Sequence, residues 1–426
     1  MDVEKASFNK IIIFMIIMIF SGSFSTIIIK IIVSSEIKLV EGDTNPNFNH
    51  PWYIAYMVFI GELLCLIPYY IIKFCIKKEN KSQETVNFME NKEENSYHFM
   101  RQSTNNASSN TNTKPDINIF IIIIPTIFDL LSSSLLIISL NFLASSTYQM
   151  LRGSYIIFIA IASIHFLKRK IFSHNWLGMA LVLIGLIVVG INSIIEANNN
   201  DDDESINTTS WGLLLIILSQ LLQACLFISE EFLMTSYKCE PLKLAGMEGM
   251  WGTIFYSILI FCAYYIPCPI QSDEISYYFC SKIGEKYYLE NIYNAVHVLT
   301  NNTIILLLNI LFILVIGLLA TVGIWITKNV SATARSIVDT VRVIIVWLFF
   351  TTIHISKKTD EHFKGIQLIG FILLVAGNII YNEVIVLPFW GLNKNIQKSV
   401  KQQIDDATSS TDVDDQQQNR IVLSRW

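Results

Sequence analysis

The stretch NFLASSTYQMLRGSYIIF at residues 141–158 places Gln149 and Arg152 inside a segment whose apolar character otherwise predicts a membrane-spanning helix. An arginine keeps its proton in proteins, and its charge costs several kcal/mol, up to about 10 or more, at a bilayer centre unless a counter-charge or water meets it. No acidic residue lies within four positions of Arg152. We therefore expect Arg152 to line a polar cavity and to meet an acid from another helix, such as Asp129 or Glu248.

A second charged stretch, SATARSIVDTVRVIIVW at residues 331–347, has the same character. Arg335, Asp339 and Arg342 lie there at i, i+4 and i+7, which places them on one face of a helix. One interpretation is that Arg335 and Asp339 form an ion pair within the helix that only makes it insertable. The interpretation we favour is that the three side chains line a cavity, because charges inside a membrane normally face a partner or water.

The composition is that of a polytopic membrane protein. The chain has 426 residues, of which 52% are hydrophobic and 15% charged, and its mean hydropathy is positive. The net charge of -5 comes mainly from loops and tails and forms no basic face, so we expect a lipid bilayer and no nucleic acid among its partners.

Ten apolar runs are long enough to cross about 30 Å of hydrocarbon. We therefore predict an all-α polytopic fold of ten transmembrane helices, the first of them uncleaved because no small-x-small cleavage site follows it. The runs cover residues 10–33, 53–76, 117–141, 145–167, 174–195, 211–236, 245–267, 303–327, 331–353 and 365–387.

Lysine and arginine set the predicted orientation. With the N-terminus in the cytosol, cytosolic segments hold twenty of these residues and the opposite side holds six, which favours both termini in the cytosol. Between the spans we expect four further segments. They are a disordered cytosolic insert at 77–116, an acidic lumenal loop at 196–210, a lumenal loop at 268–302 in which Cys268 and Cys280 could form a disulfide, and a cytosolic tail at 388–426.

The two halves of the chain carry matching motifs. Glu62 and Glu248 are 186 positions apart in the second and seventh helices, and Ser145 and Ser331 have the same spacing in the SST and SAT motifs. Two repeats of five helices, within residues 1–195 and 211–387, explain the pattern. Because five is odd, the second repeat enters the membrane inverted. Inverted repeats are typical of secondary transporters, whose substrate site lies near the membrane midplane.

Glycines in the fifth and tenth helices follow the same repeat. Gly178 and Gly185 match Gly370 and Gly377, each pair with a spacing of seven residues. Small residues at such spacing allow close helix packing. They would suit helices that line a homodimer contact.

The intramembrane polar residues are candidate site residues, because ionisable groups are rare there. Lys30 lies near a helix end, where snorkelling to the interface is as good an explanation as function. Glu230 and Glu231 point to different faces, so we expect at most one of them to face a cavity. The residues we favour for a solute cavity are Gln149, Arg152, Arg335, Asp339, Arg342, Glu62, Glu248, Asp129 and Lys30.

Helix starts near Ala144 and Ser331 offer free amides that could hold an anionic group, although simple capping by serine or threonine is the better explanation. Features of enzymes and pumps are missing from the sequence. All seven histidines fall in loops or at helix ends, and no H-E-x-x-H, G-x-S-x-G or Walker-type motif occurs. We therefore expect no catalytic residues, metal site or cofactor.

Six motifs carry a resemblance to a known family through their order along the chain. They are SGSFSTIIIK (21–30), FIGELLCL (59–66), SSTYQMLRGSYIIF (145–158), EGMWG (248–252), TKNVSATARSIVDTVRVIIVW (327–347) and IQLIGFILLVAGNIIYN (366–382). In this order they resemble the F-type branch of solute carrier family 35. That branch lies within the drug/metabolite transporter superfamily, which also includes nucleotide-sugar transporters and the chloroquine-resistance transporter.

The resemblance implies a ten-helix carrier with a central cavity lined by helices one to four and six to nine. It also implies an endomembrane location, lysosomal or Golgi-like, with a mitochondrial location as the alternative. We predict a secondary transporter of a small anionic or zwitterionic solute that works by alternating access. The alternative function is a non-transporting membrane protein that regulates trafficking or a partner through its insert and tail.

Overall fold

The computed structural model describes residues 2–35, 50–75, 115, 117–166, 173–198, 203–237, 239–267, 280–283, 286–352 and 365–381. The predicted cytosolic insert, apart from residue 115, and the predicted cytosolic tail lie outside these residues. Helices reach into the predicted acidic loop from both sides, up to residue 198 and from residue 203.

Helices dominate the described parts of the chain, as predicted for an all-α polytopic membrane protein. The helices are α1 Asp2–Ser34, α2 Pro51–Leu63, α3 Ile123–Phe142, α4 Ser145–Arg152, α5 Tyr155–Phe166, α6 Ser173–Asn198, α7 Asp203–Ser236, α8 Pro241–Ala263, α9 Ile292–Asn301, α10 Thr303–Asn329, α11 Ala332–Thr352 and α12 Gly365–Tyr381. After α2 the chain makes a turn at residues 64–65 and is helical again over 66–75. A short 3-10 turn, Ile119–Ile122, leads into α3.

Seven described helical segments are long and apolar enough to span a membrane, and Gly365–Tyr381 is a shorter apolar helix. Two further predicted spans are helical but differ from this group. The fourth is interrupted by a turn at Gly153 and Ser154 between α4 and α5, and α11 carries three charged side chains. The count of ten spans therefore stays a prediction, although helix is found within each predicted run.

Local sequence explains several helix starts. Pro51 and Pro241 lie in the first turns of α2 and α8, where a missing N–H costs nothing. The side chain of Asn302 accepts hydrogen bonds from the amides of Ile304 and Ile305, at 3.1 and 3.2 Å, and so caps α10.

Helix contacts in the first half of the chain recur in the second half. Under the predicted repeat, α1 corresponds to α7 and α3 corresponds to α10. The contact of α3 with α7 is therefore related to the contact of α10 with α1, and both are present. The pairs α5 with α7 and α11 with α1 are related likewise. α2 with α8, and α6 with α12, are pairs of repeat-related helices that contact each other. This reciprocal pattern is the one that an inverted repeat predicts.

The repeated glycines bring α6 and α12 together inside the chain. The position that a Cβ on Gly178 would take lies 2.8 Å from the carbonyl oxygen of Gly377, and that of Gly185 lies 2.7 Å from the carbonyl oxygen of Gly370. The two backbones touch at these glycines, so the glycine faces are used within one chain. A homodimer through the same helices would need their other faces, and it stays a prediction.

The predicted loop 268–302 contains structure that the sequence analysis missed. Strands β1 Ser281–Ile283 and β2 Lys286–Tyr288 form an antiparallel hairpin, and α9 follows them. His50 Nδ1 lies 2.7 Å from Glu290 Oε1, which joins this region to the start of α2. Cys280 is disulfide-bonded, and five other cysteines are free. Cys268, the predicted partner, lies outside the described residues.

Candidate functional site

The charged face of α11 meets two separate polar groups. The first, which we name the arginine group, contains Arg152, Asp339 and Arg342. Arg342 Nη2 lies 3.1 Å from Asp339 Oδ1, three positions away on the same helix, and both side chains are buried. The Tyr155 hydroxyl, from α5, lies 3.1 Å from Asp339 Oδ2 and 3.2 Å from the carbonyl oxygen of Ser336. Tyr155 can therefore orient the carboxylate toward Arg342.

Arg342 depends on a glycine of the first helix. The space that a side chain at Gly22 would take is occupied by the guanidinium end of Arg342. The hydroxyl of Ser25 and that of Thr26 donate to the Gly22 carbonyl oxygen at 2.9 and 3.0 Å. Because Gly22 has no side chain, Arg342 can lie directly against the backbone of α1.

Arg152, at the end of α4, is only half buried. Its Nη1 lies 3.5 Å from Thr26 Oγ1, and its guanidinium carbon lies 5.8 Å from the centre of the Tyr148 ring. Among the residues that the structure describes, no carboxylate pairs with it. The expectation that Asp129 or Glu248 would do so is wrong, because both acids lie with Arg335 instead.

The arginine group consequently carries more positive than negative charge. Arg152 and Arg342 lie close enough to interact electrostatically, and Asp339 is the carboxylate that pairs with one of them. Two like charges repel most strongly where water is scarce. An anionic group placed beside Arg152 would relieve this repulsion.

The second group, which we name the acidic cluster, joins four helices to α11. The charges of its members interact with one another, and every member is at least nine-tenths buried. The members are Glu62 of α2, Asp129 of α3, Glu230 of α7, Glu248 of α8 and Arg335 of α11.

Arg335 is held from three sides in this cluster. Its Nη1 donates to Glu230 Oε2 in a short ion pair, and its guanidinium carbon lies 3.9 Å from the centre of the Phe227 ring. The guanidinium also fills the space beside Gly323, where a Cβ would meet it at 2.8 Å. The alternative pair within the helix, Arg335 with Asp339, is therefore not the one that forms.

The start of α11 is occupied by groups of the protein itself. Glu231 Oε2 accepts from the amide of Ala332 at 3.2 Å, and Ser331 Oγ accepts from the amide of Ala334 at 3.0 Å. Capping is thus confirmed for Ser331, and a carboxylate already lies where an anionic ligand would bind. Residue Ala144, before α4, makes no side-chain cap.

The structure therefore divides the predicted site residues. It brings Arg152, Asp339 and Arg342 together in one group, and Glu62, Asp129, Glu248 and Arg335 in the other. Gln149 is buried in α4 and Lys30 is half buried near the end of α1, and we assign neither to a group. The sequence alone gave Glu230 no defined role. The apolar residues around it in α7 are a signal that could have identified it as a site residue. Within the described ranges, no three His, Cys, Asp or Glu side chains are placed to hold a metal ion.

Comparison with known proteins agrees with the earlier resemblance. A nucleotide-sugar transporter family profile matches residues 56–231. Solute carrier family 35 member F6 of Rattus norvegicus is 27% identical, over 86% of this chain and 87% of that protein. The chain is therefore similar to the F-type branch of solute carrier family 35 over most of its length. The human member F6 is 26% identical over the same shares, and an uncharacterised protein of Schizosaccharomyces pombe is 28% identical over 62% of this chain and 74% of its own length.

These similarities, together with the apolar helices, support a multi-pass membrane transporter. The family profile covers α2 to most of α7, so it includes both stretches that hold Glu62 and Arg152. The matches to member F6 extend over most of the remaining chain. Both polar groups thus lie inside the part of the carrier that is related to these proteins.

Proposed function

We propose that the chain is a secondary transporter that carries a small anionic or zwitterionic organic solute across an endomembrane by alternating access. The solute's negative group would bind beside Arg152. The observation that carries the proposal is the half-buried Arg152, which has no paired carboxylate among the described residues and lies near Arg342.

Each neighbour of Arg152 fits this role. Thr26 offers a hydroxyl, and the ring of Tyr148 offers an apolar face that can stabilise a cation or stack on a planar solute. Asp339 holds Arg342 in place and would repel a second anion. The three helices that supply these residues, α1, α4 and α11, come from both repeats, so rocking of the repeats would change the access to Arg152.

Localisation and topology belong to the same proposal. We place the carrier in a lysosomal, vacuolar or Golgi membrane, with both termini in the cytosol. Neither statement rests on the polar groups, and imaging of the full chain with terminal tags would test both.

The test begins with the solute. Metabolites of isolated vesicles with and without the protein are compared, and solutes that change are then offered to proteoliposomes that contain the full chain. We expect uptake of an anionic or zwitterionic solute that Arg152→Ala abolishes and Arg152→Lys partly retains. Normal flux through Arg152→Ala would remove this residue from the mechanism.

Lys73 offers a matched control. Its ammonium also lies over a tyrosine ring, 5.6 Å from the centre of Tyr69, but at the exposed end of helix 66–75. Lys73→Ala should transport as the wild type does. Deletion of residues 80–112 should also leave flux unchanged, whereas a protein that acts through its insert would lose its function.

A further inference from the structure

The acidic cluster contains more negative charge than Arg335 can balance. Four carboxyl groups interact electrostatically with one guanidinium, and only Glu230 is seen to form an ion pair with it in the described part of the chain. Glu62, Asp129 and Glu248 have no cationic partner of their own in the described part of the chain. The other titratable groups that interact with the cluster are Cys65, Cys239 and Tyr256, and none of these brings a positive charge.

Two of the carboxyl groups have a buried oxygen that lacks a hydrogen-bond partner among the described residues. These oxygens are Glu62 Oε2 and Glu248 Oε1. The side chain of Glu62 is 7% exposed and that of Glu248 is 2% exposed. A buried carboxylate without a partner is costly, and three that interact with one another are costlier still. Binding of a proton removes the charge and supplies the O–H that a neighbouring oxygen can accept.

We propose that Glu62, Asp129 and Glu248 form a proton-binding site that couples solute movement to a proton gradient. This inference rests on the transport function proposed above. Among the described residues, no three His, Cys, Asp or Glu side chains converge as metal ligands would, which favours a proton over a divalent cation.

The position of the site suits coupling. Glu62 belongs to the first repeat and Glu248 to the second, and their helices touch where a Cβ at Gly249 would lie 2.5 Å from the Glu62 backbone. Movement of one repeat against the other would change the distance between these carboxyls and their access to water. α11 then links the two groups, since Arg335 and Arg342 lie seven residues, or about 10 Å, apart along it.

Protons alone serve as the probe, so the solute need not be known. Proteoliposomes of the full chain are adsorbed on a solid-supported membrane, and the pH is changed in the absence of solute. We expect a transient charge displacement in the wild type and its loss in the double variant Glu62→Gln and Glu248→Gln. Glu240→Gln, an exposed carboxyl just before α8, should match the wild type.

A second measurement guards against misfolding of the double variant. Infrared difference spectra of the single variant Glu248→Gln should lose a protonated-carboxyl band that the wild type gains when the pH falls. An unchanged charge displacement in the folded double variant, or a displacement that follows sodium at constant pH, would overturn the proposal. Arg152→Ala should keep the proton signal while it loses flux, so failure of the anion site and failure of the proton site give different results.

Discussion

Arg335 pairs with Glu230 of α7 and not with Asp339, the acid one turn ahead on its own helix. The charged residues of α11 therefore form two separate ion pairs. Arg335 joins α11 to α7 through Glu230, and Asp339 pairs with Arg342 on α11 itself. A pair between Arg335 and Asp339 would have left Glu230 and Arg342 without these partners.

Loss of the Glu230 partner should destabilise the fold more than loss of the pair. Glu230→Gln removes the carboxylate that pairs directly with Arg335, and breaking a buried ion pair costs about 3 to 5 kcal/mol. The double variant Glu230→Gln and Arg335→Gln should be more stable than Glu230→Gln alone. Thermal unfolding of the protein in detergent micelles measures both, with Glu240→Gln as the exposed control. Additive losses in the double variant would show that the two side chains are not coupled.

The helices could be predicted from sequence because the bilayer dictates their length. About twenty apolar residues are needed for each crossing, so runs of that length mark spans whatever the contacts between them. The predicted start of the first span, residue 10, agrees with the apolar segment that begins at Asn9, and that of the sixth, residue 211, lies five residues after Ile206. Both helices begin earlier, in polar sequence, at Asp2 and Asp203. The hairpin at 281–288 gave no signal, because its strands are three residues long.

The site could be predicted only in part. The free-energy cost of placing a charge inside the membrane identified Arg152, Glu62, Glu248 and the charged residues of α11 as site candidates. This reasoning needs no knowledge of the fold. It does not identify partners, because a partner lies on another helix and depends on packing. Glu230 and Glu231 illustrate the limit, since both are buried and each contacts a different part of α11.

Gly249 should be essential for contact between the two repeats. A side chain there would collide with the backbone of Glu62 and Leu63, which cannot move away as a flexible side chain can. Gly249→Leu should therefore cost at least about 1 to 3 kcal/mol and abolish transport. Gly190→Leu is the control, since no atom of the described residues lies within 4 Å of a Cβ at that position. Equal melting temperatures for the two variants would contradict the close approach of α2 and α8.

Glu290 should hold the hairpin region against α2. This fully buried carboxylate lies 2.7 Å from His50 Nδ1 and accepts from the amides of Tyr53 and Asn291, at 3.3 and 2.9 Å. Glu290→Ala should cost about 1 to 3 kcal/mol for a lost buried acceptor and increase hydrogen exchange in 280–301. Thr300→Val, an exposed change on α9, should leave exchange unchanged. If hydrogen exchange in 280–301 is unaltered in Glu290→Ala, this carboxylate does not stabilise the region.

Tyr155 should act on transport through Asp339. Its hydroxyl is 3.1 Å from Asp339 Oδ2, and a hydrogen bond to a charged group contributes about 1.5 to 3 kcal/mol. Tyr155→Phe should lower stability by that amount and reduce solute flux, because an unrestrained Asp339 can rotate away from Arg342. In Asp339→Asn the same tyrosine change should cost less, since a neutral amide accepts a weaker hydrogen bond. Unfolding of the four variants gives the coupling energy, and Tyr70→Phe, an exposed tyrosine at 61%, controls for the substitution itself. A coupling energy near zero would mean that Tyr155 contributes through its packing against Phe227, whose ring centre is 5.7 Å away, and leaves the carboxylate unaffected.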